Sequence, residues 1–593
     1  MIAPPRPSAP ARSAAVLIVL ALAPLWLIGI FGRALWTPDE PREADIVWRM
    51  SLQSDRTLPQ LAGRPFLEKP PLSYWMSGGA IALAGDSPAA ARAPNLLYAL
   101  IAALTVGALA LSLQADGAAA VLSALVALSG LTAYRVSIWL APDAGLLAGC
   151  ALALLGAWRG YRAARGWRKA LGYTLMHAGA ALGFMAKSAP GWLVPALALL
   201  TLIAWERRWS ELRCWELYAG FALQALIIGL WLLAVAHSTQ GAEALRALFW
   251  HNVVGRFTRL PSPAGLDYTT GHHNFPGKYF LELPLYLLPW TLIVAAALLR
   301  AWKRAREPGP SGTPWRFALC ASLPFLVLLS LAATARDVYA APATLGFGLL
   351  AGLWAHDAQR SPEPVDHLAV GASRWLVAGV AWLLAGALAI LAAAGAGSRL
   401  ACLTAGLGVI AAAQAAVLQG ARAQRAGQMQ RSLGWTYAGY AAAVSVAALA
   451  ALPIVDRWQD LPQLARRIHA DTAQQHLALL DPDETTIAIL DHGLDTPFTV
   501  LSSGTDGALP DELHTPRQRV GEWLALHGRE ARVLVLLPGH ASGNLSRWLE
   551  RFHRSAPPGD GVAAALVASG TAALVQRYEL PQGRRYALLG PPP

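Results

Sequence analysis

The chain has 593 residues, of which 55% are hydrophobic and 14% are charged. A soluble globular protein usually has about 25% charged residues, so much of this chain is expected to lie in lipid. The net charge of +12 does not indicate a nucleic-acid-binding protein, because the basic residues are interleaved with apolar segments. The four cysteines fall in or beside apolar segments without C-x-x-C pairing, so they predict no disulfide framework.

Apolar segments with the length of a membrane-spanning helix, about 20 residues, recur up to residue 455. The first follows Arg6 and Arg12, and it is interpreted as an uncleaved helix because no small-x-small cleavage site follows it. Thirteen spans are predicted, at about residues 14–34, 88–112, 118–139, 144–158, 174–187, 189–205, 217–236, 281–300, 315–333, 337–355, 374–394, 398–419 and 434–453.

Clusters of basic residues orient these spans, because cytoplasmic loops carry an excess of Lys and Arg. The clusters lie at residues 159–169, 207–213, 300–306 and 422–431. With a cytoplasmic N-terminus and thirteen spans, all four fall on the cytoplasmic side of a bacterial inner membrane. The loops 35–87 and 237–280 and the region 456–593 are then predicted to face the periplasm.

The chain therefore divides into a polytopic α-helical membrane domain, residues 1–455, and a periplasmic α/β domain, residues 456–593. Asp491 and His492 in the second domain are interpreted as turn residues. Short strands are predicted there at 485–490, 532–537, 571–578 and 584–589, and helices at 516–527 and 542–552.

Carboxylates follow the first span directly, at the predicted membrane surface. Asp39, Pro41 and Glu43 have the spacing of a helix N-terminus, with Asp39 as the N-cap. A capping carboxylate can also face a site, so this local role does not exclude a functional one.

Cations in the predicted periplasmic segments run against the usual charge bias. Lys69 lies between a carboxylate and a Pro-Pro pair that stiffens the backbone. Arg42, Arg256 and Lys278 are also placed outside. A surface cation is most often merely solvated, but several at one membrane face are attracted to phosphate. The sequence leaves a phosphate site and solvated cations as alternatives.

The sequence Asp-Glu-Pro-Arg-Glu-Ala at 39–44, followed by Leu-Glu-Lys-Pro-Pro-Leu-Ser-Tyr-Trp at 67–75, resembles the bacterial aminoarabinose transferase (ArnT) family. That family belongs to the GT-C superfamily, which includes protein O-mannosyltransferases. The resemblance is most specific over residues 36–80 and looser through about residue 355. It implies a GT-C fold of about thirteen spans with an outward C-terminal domain, and the transfer of a sugar from a polyprenyl-phosphate carrier, typically with inversion.

The resemblance also assigns residues. Asp39 matches an essential acidic residue of the family, and Asp143, after Pro142, matches a second one, although an N-cap role also suits it. The segment 336–342 matches a Tyr-x-x-Pro segment whose basic run is partly replaced by Ala, and Arg336 there is a further candidate. The implied ligands of the donor phosphate are Lys69, Arg256, Tyr339 and Arg42.

A metal is implied by the resemblance alone. In the family, the Glu before the Lys and a His of the second outward loop can hold zinc. These positions correspond to Glu68 and His251, with His272 and His273 as alternative ligands. Two protein ligands are too few for a closed structural site, so water or substrate would complete the coordination.

The expected function is a glycosyltransferase that moves a sugar from a polyprenyl-phosphate carrier to an envelope acceptor, such as lipid A, another glycan, a lipid or a protein. An acceptor hydroxyl would need a base, and Asp39 or Asp143 could serve. An acceptor phosphate would already be ionised. The alternative class is a transporter or flippase of a lipid-linked sugar, which would place ionisable residues near the bilayer midplane, whereas here they gather at one face.

Overall fold

The structure is a computed structural model that describes residues 9–66, 68–113, 115–239, 241–254, 274–334, 336–492, 497–501, 516–538 and 561–593. The first twelve helices are α1 (Ala9–Phe31), α2 (Glu40–Leu52), α3 (Leu72–Ala84), α4 (Pro88–Ser112), α5 (Gly117–Ser129), α6 (Leu131–Ile138), α7 (Asp143–Arg162), α8 (Trp167–Lys187), α9 (Pro190–Trp205), α10 (Trp215–Tyr218), α11 (Phe221–Ala236) and α12 (Gly241–Arg246). A short hairpin of β1 (Gln60–Leu61) and β2 (Arg64–Pro65) follows α2.

A π-helix, Ala247–Val254, continues α12. The next nine helices are α13 (Lys278–Tyr286), α14 (Thr291–Arg304), α15 (Thr313–Cys320), α16 (Leu323–Leu331), α17 (Ala343–Arg360), α18 (Pro364–Ala393), α19 (Arg399–Arg425), α20 (Met429–Gln459) and α21 (Leu461–Thr472). One short 3-10 helix, Asp337–Ala340, lies directly before α17.

Each of the thirteen predicted spans contains helix. In the described part of the chain, eight helical segments are long and apolar enough to cross a membrane, and the pair α5–α6, bent by 71°, would be a ninth. The other four predicted spans are α8, α9, the pair α13–α14, and α17. Of these, α9 has only 16 residues, and the other three contain charged residues. The chain is therefore a multi-pass helical membrane protein.

Glycines bring α7 and α8 unusually close together. Gly149 and Gly156 of α7 face Gly183 and Met176 of α8, and a Cβ atom at Gly149 or Gly156 would come within 2.4 Å of the backbone of α8. Small residues at such seams let membrane helices associate through close backbone packing. Because α7 begins and α8 ends on the same side of the bundle, the seam also sets the distance between the first residue of α7 and the last residue of α8.

This seam gives a first prediction. Gly156→Ala is expected to lower the thermal unfolding midpoint of the purified protein, because the added methyl group overlaps the backbone of Met176 and overpacking costs about 1–3 kcal/mol. The matched control is Gly379→Ala in α18, where a Cβ atom meets nothing within 4 Å. Alanine favours a helix over glycine, so the control should be neutral or stabilising. Equal midpoints for the two variants would contradict close packing at the seam.

The C-terminal region folds around a five-stranded sheet in the order β4–β3–β5–β7–β6. The three strands β4, β3 and β5 are parallel, whereas β7 is antiparallel to both β5 and β6. Apolar clusters cover both faces of the sheet. The strands are β3 (His476–Leu480), β4 (Phe498–Leu501), β5 (Ala531–Leu537), β6 (Ala573–Glu579) and β7 (Arg585–Gly590). The helices are α22 (Glu484–Asp491), α23 (Pro516–His527) and α24 (Gly561–Ala568).

The α/β class, the helix at 516–527 and the strands near 532–537, 571–578 and 584–589 are confirmed. The strand predicted at 485–490 is wrong, since these residues form α22. Their Thr and Ile side chains favour strands locally, but the Asp483 carboxylate accepts a hydrogen bond from Thr486 N at 2.9 Å and caps a helix instead. The strands β3 and β4 were not predicted, and the predicted helix 542–552 lies outside the described residues.

The C-terminal domain contacts the membrane domain through α22, which packs on α2. Arg42 of α2 donates to Glu484 at 2.6 Å, and Arg49 Nε donates to Asp491 at 2.6 Å. His492 lies 2.9 Å from a carboxylate oxygen of Asp86. The interpretation of Asp491 and His492 as turn residues is therefore incomplete, because both make contacts across the domain boundary.

Asp45 of α2 lies inside this contact. Its side chain is fully buried and accepts a hydrogen bond from Ala62 N at 2.8 Å. Burial and the neighbouring Asp491 carboxylate raise the pKa of Asp45 to about 8, although the Ala62 N–H and the positive charge of Arg49 oppose this shift. The Asp45 carboxyl group is therefore largely protonated at neutral pH.

The contact between α2 and α22 should therefore depend on pH. The pKa of Asp45 is higher in the folded protein, so its stabilising contribution is complete below the ordinary value near 3.8, declines as the pH rises, and is lost above about 8. The thermal unfolding midpoint should therefore decrease when the pH is raised from neutral to above 8. Asp45→Asn mimics the protonated carboxyl group and should fall less over this interval. Parallel curves for the two proteins would contradict a protonated Asp45 at this contact.

Candidate active site

The connection between α1 and α2 is fixed by Glu40, whose side chain is fully buried. Its carboxylate accepts hydrogen bonds at 2.9 Å from both Arg92 Nε and Arg92 Nη2 and pairs with Arg33. The backbone N–H of Leu140, just before α7, also donates to it at 2.9 Å. One carboxylate thus joins α1, α2, α4 and the start of α7, and it places the preceding residue, Asp39, at the junction of these elements.

Asp39 occupies the N-cap position of α2, as predicted, but its side chain makes no capping hydrogen bond. The carboxylate instead accepts a hydrogen bond from Arg336 Nη2 at 2.7 Å and lies 3.4 Å from Arg42 Nη2. Burial raises the pKa of Asp39, but the positive charges of Arg336, Arg42 and Lys69 outweigh it, so the net shift is downward. Asp39 is therefore ionised at neutral pH.

Glu43 lies one helical turn further along α2 and gathers three donors. Lys69 Nζ donates to its Oε1 at 2.8 Å and Arg42 Nη2 at 2.7 Å, while the Tyr74 hydroxyl donates to Oε2 at 2.8 Å. Burial alone would lower the pKa of Lys69, but the negative charges of Glu43 and Glu68 raise it overall. The Lys69 ammonium group is therefore held in a fixed, charged state.

Asp143, the first residue of α7, pairs with Lys187, the last residue of α8. Its side chain makes no cap, since the N-cap position belongs to Pro142. The Lys187 ammonium group also lies 5.1 Å from the centre of the Tyr339 ring. The glycine seam between α7 and α8 makes this pair possible.

These groups line one open cavity of about 1290 Å³, with the mouth included. The rest of the wall is largely apolar and includes Leu146, Leu193, Phe325 and Leu328. Every cation among the described residues of the wall is paired with a carboxylate, in contacts that also involve Glu484 and Asp337. The ionisable side chains of the wall are Asp39, Arg42, Glu43, Glu68, Lys69, Arg135, Asp143, Lys187, Arg336 and Tyr339.

Most predicted site residues therefore meet. Asp39, Asp143, Lys69, Arg42 and Tyr339 share the cavity with Glu68 and Arg336, although they come from four separate parts of the chain. Arg256, His272 and His273 lie outside the described residues. His251 belongs to the π-helix Ala247–Val254, but its side chain also lies outside the description.

The metal prediction remains untested. Among the described residues, no group of three or more His, Cys, Asp or Glu side chains has a geometry that could hold a metal ion. Glu68, the described member of the predicted pair, lies 3.3 Å from the Lys69 ammonium group, which competes with a cation for its carboxylate.

Three residues of the cavity wall were not predicted. They are Glu43, as a carboxylate that accepts hydrogen bonds from three donors, and the cations Lys187 and Arg135. Two of them had a signal in the sequence. Lys187 and Arg135 lie at the ends of predicted spans 174–187 and 118–139, on the side opposite the basic clusters. Cations on that side run against the positive-inside bias. The reasoning that singles out the loop cations therefore also applies to these two span ends.

Three comparisons relate this geometry to known proteins. The family model described as dolichyl-phosphate-mannose-protein mannosyltransferase matches residues 68–233. The chain is 31% identical over 369 residues to an undecaprenyl phosphate-alpha-4-amino-4-deoxy-L-arabinose arabinosyl transferase of Pseudomonas paraeruginosa, a match that covers 62% of this chain and 63% of that protein. A transferase of the same name from Edwardsiella ictaluri is 31% identical over 49% of this chain and 50% of its own length.

The fold matches over nearly the whole length. The crystal structure of ArnT from Cupriavidus metallidurans bound to undecaprenyl phosphate superposes with a TM-score of 0.70 at 18% identity, covering 98% of each chain. The apo structure of the same protein gives a TM-score of 0.69. The aligned region spans somewhat less than two thirds of the curated relatives. The resemblance of this chain to the aminoarabinose transferases is therefore confirmed, in sequence over that region and in GT-C fold over almost all of the chain.

Proposed function

We propose that this protein is a glycosyltransferase that takes a sugar from a polyprenyl-phosphate carrier and transfers it to an acceptor in the cell envelope. The observation that carries the proposal is the cavity itself, in which fixed cations and the carboxylates of Asp39 and Asp143 face a largely apolar wall. The similar proteins are named for an undecaprenyl-phosphate-linked aminoarabinose donor. We propose a donor of the same class for this chain, with the cavity and the C-terminal domain on the periplasmic side.

The donor phosphate would bind where cations retain unused hydrogens. Lys69 contacts Glu43 and Glu68, and an ammonium group has a third N–H. Among the described residues, Arg336 donates to Asp39 through one nitrogen, so most of its guanidinium remains available. Arg42 uses both terminal nitrogens for carboxylates, and its Nε, which has no partner among the described residues, is buried. We therefore place Lys69 and Arg336 ahead of Arg42 as phosphate ligands.

An apolar groove beside the cavity suits the carrier chain. Phe184, Trp192, Phe249 and Leu328 line it, and it shares the wall formed by Leu193 with the charged cavity. A polyprenyl phosphate requires this combination, because its phosphate needs cations and its chain needs an apolar surface. A soluble nucleotide-sugar donor would have no use for the groove.

In the proposed reaction, an acceptor oxygen attacks the anomeric carbon while the bond between that carbon and the phosphate oxygen breaks. Polyprenyl phosphate leaves with the bonding electrons, and Lys69 and Arg336 stabilise the negative charge that develops on it. Attack opposite to the leaving group inverts the anomeric centre. If the acceptor is a hydroxyl group, its proton passes to a carboxylate of the cavity.

The lowered pKa of Asp39 makes it a weak base. We therefore propose that Asp39 orients the sugar or acceptor and stabilises positive charge near the anomeric carbon. Asp143 is the second carboxylate available to a proton, although its pair with Lys187 has to loosen first. An acceptor phosphate is already ionised, so it would transfer no proton to either carboxylate. We also propose that Glu68 and His251 would hold a metal ion if one binds, with water or substrate completing its coordination.

Asp39→Asn and Lys69→Ala are expected to lower the release of polyprenyl phosphate from a polyprenyl-phosphate sugar by about 100-fold or more, since each removes a charge at the reacting centre. Release in the presence of an acceptor is measured with purified protein by mass spectrometry. The control is Asp55→Asn, which makes the same change at an exposed position of the same loop. Full activity of both variants would refute the site, and movement of intact donor across a bilayer without cleavage would favour the transporter alternative.

Glu484 is expected to influence turnover from the C-terminal domain. It fixes Arg42, which in turn contacts Asp39 and Glu43. The side chain of Glu484 is 38% exposed, so its charged hydrogen bond is worth only about 1 kcal/mol after screening, or about fivefold in rate. Glu484→Gln should therefore lower kcat by about fivefold and leave the KM for the donor nearly unchanged.

The matched control for this variant is Glu579→Gln, at an exposed position of β6 in the same domain. It should behave like the unmodified protein. An unchanged kcat in Glu484→Gln would show that the C-terminal domain does not position the cavity. An equal loss in both variants would assign the effect to domain stability instead.

A further inference from the structure

A pocket lined by arginines lies at the end of the helical bundle opposite the cavity. It sits where α4 ends, α7 ends and α8 begins, whereas Asp143 and Lys187 of the cavity occupy the other ends of α7 and α8. Helix α7 has 20 residues, so the two sites are about 30 Å apart. The charged side chains of the pocket are Arg159, Arg162, Arg165 and Arg168.

These arginines differ from nearby cations in their partners. Arg300 pairs with Asp357 and Asp366, and Lys169, next to the pocket, pairs with Glu211. In contrast, the four pocket arginines form no ion pair or side-chain hydrogen bond with the described residues, and all four are exposed. Their guanidinium N–H groups are therefore available to a ligand.

The positions of two arginines are unfavourable without an anion. Arg165 and Arg168 flank Gly166, the N-cap of α8, and no side chain caps this helix. A cation at a helix N-terminus is repelled by the macrodipole, whereas an anion is attracted. The described carboxylate that contacts this turn is Glu216, which accepts a hydrogen bond from Gly166 N at 2.8 Å and does not line the pocket.

Tryptophans make the pocket suitable for a lipid. Arg162 lies 5.7 Å from the ring centre of Trp158, and Arg168 lies 5.5 Å from that of Trp167. Trp158 is buried, but Trp167 is 70% exposed. Tryptophan is enriched where a membrane meets water, and α4 and α7, which end here, are long and apolar enough to span a membrane. A ligand at this level meets an apolar side and a cationic side together.

We infer that this pocket binds the phosphate headgroup of an anionic phospholipid. Basic pockets between the ends of membrane helices are suited to such headgroups. The phosphate would accept hydrogen bonds from the arginines and lie at the open N-terminus of α8, while the acyl chains follow the apolar helices. Occupation of this site does not depend on the proposed transfer reaction.

The test uses the full-length protein in bilayer discs of phosphatidylcholine, with and without phosphatidylglycerol. Lipid that stays bound after gentle release is counted by native mass spectrometry. The unmodified protein should retain phosphatidylglycerol in preference to phosphatidylcholine. The double variant Arg165→Gln/Arg168→Gln should retain about 10- to 30-fold less, given the typical contribution of each arginine near an anionic surface.

The matched control is Arg422→Gln/Arg425→Gln, which removes two exposed arginines at the last turn of α19. It should retain phosphatidylglycerol as the unmodified protein does. Equal losses in the two double variants would overturn the inference in favour of a general charge effect. Equal retention of both lipids by the unmodified protein would also overturn it, as would displacement of the lipid by an equal concentration of inorganic phosphate.

Discussion

The cavity depends on one buried carboxylate. Glu40 lies between Arg33 and Arg92 with no exposure to solvent, and such a charge is tolerated only when it is paired and hydrogen-bonded. Glu40 meets this requirement through contacts that join four elements. These contacts fix the direction in which the chain leaves α1. Asp39 and Arg42 then face the cavity because they precede and follow an anchored residue. The Asp39 carboxylate is thus positioned by a neighbour that does not itself line the cavity.

A second constraint is charge balance. Each cation among the described residues of the wall faces a carboxylate, so these residues carry little uncompensated charge. In the proposed reaction, an incoming phosphate would use the hydrogens that Lys69 and Arg336 retain and would share these cations with the carboxylates. Such sharing lowers the gain in affinity, but the carboxylates keep Lys69 and Arg336 charged and oriented. Preorganised charges stabilise a developing anion without reorganisation.

The sequence predicted the fold class from its apolar segments, and much of the cavity through the resemblance of its local acidic and Lys-Pro-Pro segments to the aminoarabinose transferase family. Asp39, Lys69 and Asp143 could be found in this way. The partners could not, since Lys187 reaches Asp143 only through the packing of α7 on α8, and Glu484 reaches Arg42 from another domain. The wrong prediction of a strand at 485–490 also arises because the local sequence does not show a contact with a distant element. The β-branched residues of this segment indicate a strand by local preference, whereas the cap at Asp483 and the contact with α2 select a helix.

The seam between α7 and α8 links the two ends of the molecule. Seven glycines lie along the two helices, Gly145, Gly149, Gly156, Gly160, Gly172, Gly179 and Gly183. Because backbone meets backbone there, the pair behaves as one stiff unit with a carboxylate–lysine pair at one end and four arginines at the other. Wider spacing would separate Asp143 from Lys187 and open the pocket between Arg162 and Trp167 at the same time. The geometry of the cavity and that of the arginine pocket therefore rest on the same close contact.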